Sequence, residues 1–137
     1  MNRTDDLTGS LVLVHPDLQD DPAKKQNQIG IITHADIEND NVIVSFGKGE
    51  QALYSTDALL TLKSANDIYR DLLNNNKDLD KSDFKALFQI SLLQEYGTSG
   101  QNKSAIELAM KNDTLRNYSM VTLEDSLKAN LSQSIER

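Results

Sequence analysis

The chain of 137 residues contains no cysteine and no tryptophan, and only two prolines, two histidines and seven tyrosines and phenylalanines together. Without cysteine there can be no disulfide, no thiol nucleophile and no cysteine-ligated zinc, which suits a reducing compartment. The shortage of aromatics is equally restrictive. A proline-rich peptide groove, a methyl-lysine cage or a base-stacking platform each needs several exposed rings together. The first 63 residues offer only Phe46 and Tyr54. No apolar run approaches the roughly 18 residues of a membrane span, and the start of the chain lacks a basic cluster followed by an apolar stretch. A cytoplasmic location without membrane association is expected.

Positive charge is also scarce. The formal net charge is −7, and residues 1–63 carry five Lys/Arg against ten Asp/Glu. Nucleic-acid binding takes most of its affinity from cations on phosphates, so the first half is a poor nucleic-acid surface unless Lys24, Lys25 and Lys48 gather locally.

That half is patterned as strands. Ser10 to His15 is an aliphatic, β-branched run ended by Pro16, and Gln28 to His34 is a second, with Gly30 at a point of bending or close backbone approach. Asn41 to Phe46 alternates Val42, Val44 and Phe46 onto one face. Gly47-Lys48-Gly49 marks a tight turn into Glu50 to Tyr54, and Ser55 to Leu60 reads as one helical turn before a closing strand, Thr61 to Lys63.

Over residues 8–63 this order resembles the SH3-like small β-barrels, the group that includes KOW and Tudor modules. The resemblance rests on Gly30-Ile31-Ile32, on Val42-x-Val44-x-Phe46-x-x-Gly49, on Tyr54, and on Asp57-Ala58-Leu59-Leu60 before the last strand. It implies a barrel of about five short strands. It does not assign an activity, because such barrels serve many functions.

Beyond Lys63 the period changes to that of helices. Ser64-Ala65-Asn66-Asp67 has the form of a capping box, and a helix to about Leu73 follows. Asp80 or Ser82 caps a second helix, with Phe84, Leu87, Phe88, Ser91 and Leu92 at helical spacing and Gly97 as its stop. A third helix is expected over Lys103 to Lys111, after a Thr98-Ser99-Gly100 loop. A fourth begins at the Thr122 cap and carries the i, i+4 line Leu123, Leu127, Leu131 and Ile135. The expected fold is therefore α+β: residues 1–63 form a barrel, and residues 64–137 form about four helices packed on it.

Candidate chemistry is thin. His15 and His34 stand at strand ends, each followed two residues later by a carboxylate, Asp17 and Asp36, so a metal site would form if the strand ends met. Asp78 to Asp83 opens like a calcium loop but places Asp83 where Gly is required and Gln89 where Glu is required. No motif pairs a nucleophile with a base, and no cofactor is implied. The leading expectation is a non-enzymatic interaction or regulatory module. Its ligand would be a protein or a second copy of the chain, met through the acidic barrel or the leucine line of the last helix. A KOW-like nucleic-acid or ribosome-associated role and a small carboxylate- or metal-dependent enzyme rank below it.

Overall fold

The computed structural model describes residues 7–74 and 79–128. It is an α+β fold with a six-stranded antiparallel sheet and five helices. The strands are β1 (Leu11–Val14), β2 (Ile29–Asp36), β3 (Asn41–Gly47), β4 (Glu50–Tyr54), β5 (Leu59–Leu62) and β6 (Met120–Thr122). The helices are α1 (Ala65–Asn74), α2 (Lys81–Tyr96), α3 (Ser99–Ala109) and α4 (Asp113–Ser119), with residues 123–128 helical as α5. The strands run in the order β4-β3-β2-β1-β5-β6, an open sheet with β4 and β6 outermost, so the expected closure into a barrel is not formed by hydrogen bonds.

The chain divides into two compact units, one of residues 1–61 with 122–137 and one of residues 62–121. The helical unit is thus inserted in the strand unit, and the closing segment from Thr122 belongs with the strands rather than with the helices.

In the strand unit, β2 decides which side chains go inward. Its first residues pair with β1 (Leu11 with Ile31, Leu13 with Ile29) and its later ones with β3 (Ile32 with Val44, Ala35 with Val42). Strict alternation from Ile32 would send His34 and Asp36 to the core. A bulge between Ile32 and His34 resets the parity, so Ala35 is buried and His34 is exposed. Gly30, on the Ile32 side of the bulge, faces β3 so closely that a Cβ there would lie 2.3 Å from Val44 Cγ1 and 3.0 Å from Phe46. The core of this unit gathers Val12, Val14, Ile32, Val42, Val44, Leu59 and Leu123, with Leu127 packed against it.

Each helix starts on a side chain that can accept from an orphan amide. Ser64, Asp80, Thr98, Asn112 and Thr122 accept from the N–H groups of Asp67, Asp83, Gln101, Leu115 and Asp125 at 2.7–3.2 Å. In the helical unit α2 is central, touching α1, α3 and α4. It buries Leu87, Ile90 and Ser91 in a unit core that also takes Ile68, Leu72, Ile106, Ala109 and Leu115.

Several expectations need correction. The Thr98-Ser99-Gly100 loop is instead the cap and first turn of α3, because Thr98 can cap. Leu59 and Leu60 belong to β5 rather than to the preceding turn, which is a 3-10 turn of only Thr56–Ala58. Helix α4 and strand β6 were not anticipated.

Leu123 is 4% exposed, so truncating it leaves a cavity in the strand core. Leu123→Ala is expected to lower unfolding stability by about 2–4 kcal/mol. Gly30→Ala should cost about 1–3 kcal/mol, by overpacking against Val44. Urea unfolding followed by circular dichroism measures both.

Candidate partner-binding face

His15 lies just past β1 and accepts a hydrogen bond at Nδ1 from the Asp17 amide at 3.1 Å, while Asp36 ends β2 and accepts at Oδ2 from Asn39 Nδ2 at 2.7 Å. The β1–β2 ladder is antiparallel and pairs Val12 with Gly30, which carries His15 to one end and His34 to the other. The two are separated by about seven residues of β2, or roughly 23 Å at ~3.3 Å per residue. The His-x-Asp pairs therefore do not meet, and among the described residues no group of three or more His, Asp or Glu could hold a metal ion.

The strongest polar cluster is a clasp that holds the long β1–β2 connection onto the sheet. Asp21 is 7% exposed and accepts from Tyr54 Oη, the Lys25 amide and the Ala23 amide, each at 2.9 Å. Burial pushes the Asp21 carboxyl upward, but these hydrogen bonds outweigh it and hold the group below its ordinary range. Burial, with the Asp21 carboxylate beside it, pushes Tyr54 well above the usual phenol range. Lys25 pairs with Glu50 at 2.7 Å and stands 5.5 Å from the Phe46 ring centroid, and Phe46 meets Tyr54 edge-on. Both Asp21 carboxylate oxygens and the Tyr54 hydroxyl are engaged within the chain, so the cluster is loop anchoring. It also engages Lys25, one of the three lysines from which a local basic patch would have to be built.

The leucine line is likewise internal at its start. Leu123 is buried in the strand core and Leu127 packs against it. Leu131 and Ile135 lie outside the described residues.

The exposed apolar surface of the helical unit lies elsewhere, on α1 and α2. Tyr69, Leu73, Phe88, Leu92 and Tyr96 are all solvent-facing; Tyr96 is 70% exposed and Leu73 60%. Tyr69 and Leu73 are one turn apart on α1, and Phe88, Leu92 and Tyr96 occupy three successive turns of α2. The Tyr69 and Phe88 rings meet edge-on with centroids 6.2 Å apart, joining the two helices' contributions into one patch.

On its other flank α2 forms a groove with α3, with a volume of about 520 Å³. Leu93, Leu108 and Ala86 supply its apolar lining, and Lys85, Glu107 and Lys111 its charges. The two-residue connection through Gly97, in a left-handed turn, and Thr98 reverses the chain. The hydrogen bond from Asn112 Nδ2 to Asp83 Oδ1 at 3.2 Å then places the end of α3 beside the start of α2.

Phe88 falls on the apolar stripe that the spacing of α2 marks as a core face, yet it is 41% exposed. The signal that could have warned otherwise is in α2 itself. Phe84, Ala86, Leu87, Phe88, Ile90, Leu92, Leu93 and Tyr96 surround the helix at 100° per residue, more than one buried face can absorb.

No helix among the described residues is long and apolar enough to cross a membrane. Comparison with known protein families, with curated proteins and with solved structures finds no match to this chain.

The direction of the Asp21 shift sets a pH dependence. With its folded pKa below the unfolded value of about 3.8, Asp21 adds stability above that pH, and the gain is lost as pH falls through the folded value. The stability gap between the wild-type chain and Asp21→Asn should be about 2 kcal/mol at pH 7 and shrink toward pH 2. Urea midpoints measured across that range check it.

Proposed function

We propose that this protein is a non-enzymatic interaction module whose docking face is the outer side of α2 with its flanks on α1 and α3. The observation that carries the reading is the clustering of five large apolar side chains, two tyrosines among them, in one exposed patch on two adjacent helices. Scattered exposed leucines are ordinary, but a contiguous patch bordered by charge is the usual mark of a protein interface. Tyrosine and phenylalanine bury large areas at small entropic cost, which is why such rings anchor interfaces.

The strand unit is read here as an SH3-like module that supports this role rather than carrying it. Support comes from the order β4-β3-β2-β1-β5, the bent β2 shared between β1 and β3, and the 3-10 turn before β5. A nucleic-acid role through this unit draws no support from Lys25, which is paired with Glu50. The acidic balance of the unit weighs the same way.

The test is a paired capture experiment with the full chain. Leu92→Asp with Tyr96→Asp alters only exposed positions and should change stability by no more than about 0.5 kcal/mol per site. Quantitative pull-down from source lysate should recover a reproducible partner with the wild-type chain and lose it by tenfold or more with the double variant. Recovery of the same partner by both chains, or of none by either, overturns the reading.

A further inference from the structure

The groove between α2 and α3 has a chemistry that narrows the partner, given the interaction role proposed above. We propose that it receives an amphipathic helical segment of another protein, with an acidic side chain lodged between Lys85 and Lys111. Both lysines line the groove, and neither has a carboxylate within ion-pair distance among the described residues. The Asn112–Asp83 hydrogen bond brings residue 111 to about the level of residue 85, so both lysines stand toward the same end of the groove. That bond also occupies Oδ1 of Asp83, the carboxylate closest in sequence to Lys85. Farther along, the lining turns apolar at Leu93 and Leu108.

The remaining charge adds a constraint. Glu107 lies in the last turn of α3, four residues before Lys111 in the turn that follows the helix, and lines the groove too. A second acidic residue of the occupant, one turn inward from the first, would meet it with like charge, so the bound segment should be acidic at one end only.

Length and backbone chemistry select a helix. From Lys85 to Leu93 the groove runs along eight residues of α2, roughly 12 Å at ~1.5 Å per residue, or about two turns of an occupant. An extended peptide lying between two helices would find no strand edge to pair its N–H and C=O groups, whereas a helix satisfies its own. Apolar anchors at i and i+4 would fall along the floor while an acid one turn beyond them reaches the lysines.

The experiment is selection from a displayed library of randomised amphipathic helical peptides against the full chain and against the charge-reversed variant Lys85→Glu, Lys111→Glu. The wild-type chain should enrich peptides with Asp or Glu one turn beyond an i, i+4 apolar pair. The variant should bind those peptides about tenfold more weakly, the scale expected from losing two exposed ion pairs, and enrich Lys or Arg at that position instead. Amide chemical shifts of the bound wild-type chain should move at Lys85, Gln89, Leu108 and Lys111. Enriched peptides without an acidic preference, or with one that charge reversal leaves unchanged, overturn the groove proposal. Shifts confined to Tyr69, Phe88 and Tyr96 would overturn it too, while leaving the broader interaction reading standing; absence of any enriched peptide overturns it as well, and the capture experiment then judges the broader reading separately.

Discussion

Helix α2 carries apolar side chains around its whole circumference, and the organisation of the helical unit follows from that constraint. A helix with one apolar stripe is satisfied by one neighbouring layer; α2 cannot be. Its inward arc, Leu87 and Ile90, is used to hold α1, α3 and α4 together. The outward arc, Phe88 and Leu92 with Tyr96 beyond them, is left facing water beside Tyr69 and Leu73. Burying roughly 1.5–3 kcal/mol worth of each large apolar side chain is the main source of stability, so leaving several exposed at neighbouring positions forgoes a substantial gain. A partner protein docked on that face would recover it.

The strand unit rests on a local device of a different kind. Without the bulge in β2, alternation would drive His34 and Asp36 into a core of valines and isoleucines, where neither could be solvated. The bulge turns both outward and gives the interior Ala35. Gly30 contributes on the other half of the strand, since only the absence of a Cβ lets Val44 and Phe46 come so close. The antiparallel pairing of β1 with β2 and the fold of the loop between them decide the fate of the polar groups. Two His-x-Asp pairs that looked like a divided metal site lie at opposite ends of one ladder, and the group with the most perturbed surroundings, Asp21 with Tyr54, turns out to secure a loop.

Much of the architecture was legible in local chemistry. Alternating valines at Val42 and Val44, the turn at Gly47-Lys48-Gly49 and the caps at Ser64, Asp80 and Thr122 each act within a few residues, so β3, β4 and the starts of α1, α2 and α5 follow from adjacent positions. Helix α4 was recoverable by the same logic, because Asn112 caps it through the Leu115 amide. Strand β6 was not: three residues, Met120 to Thr122, form a strand only because other chain segments lie alongside them.

The sequence by itself determined the division into strands and then helices, the absence of thiol chemistry and the acidic balance, since composition and short-range periodicity are complete in one dimension. Tertiary structure decided which apolar stripe is core and which is surface. Leu123 and Phe88 have the same hydrophobic credentials and similar helical spacing, yet one closes the strand core and the other faces water. That outcome depends on what the rest of the chain brings to each side of a helix, and periodicity cannot report it. The groove beside α2 is of the same origin, with Lys85 and Lys111 separated by a full helix in the sequence and brought to one end by the reversal at Gly97 and Thr98.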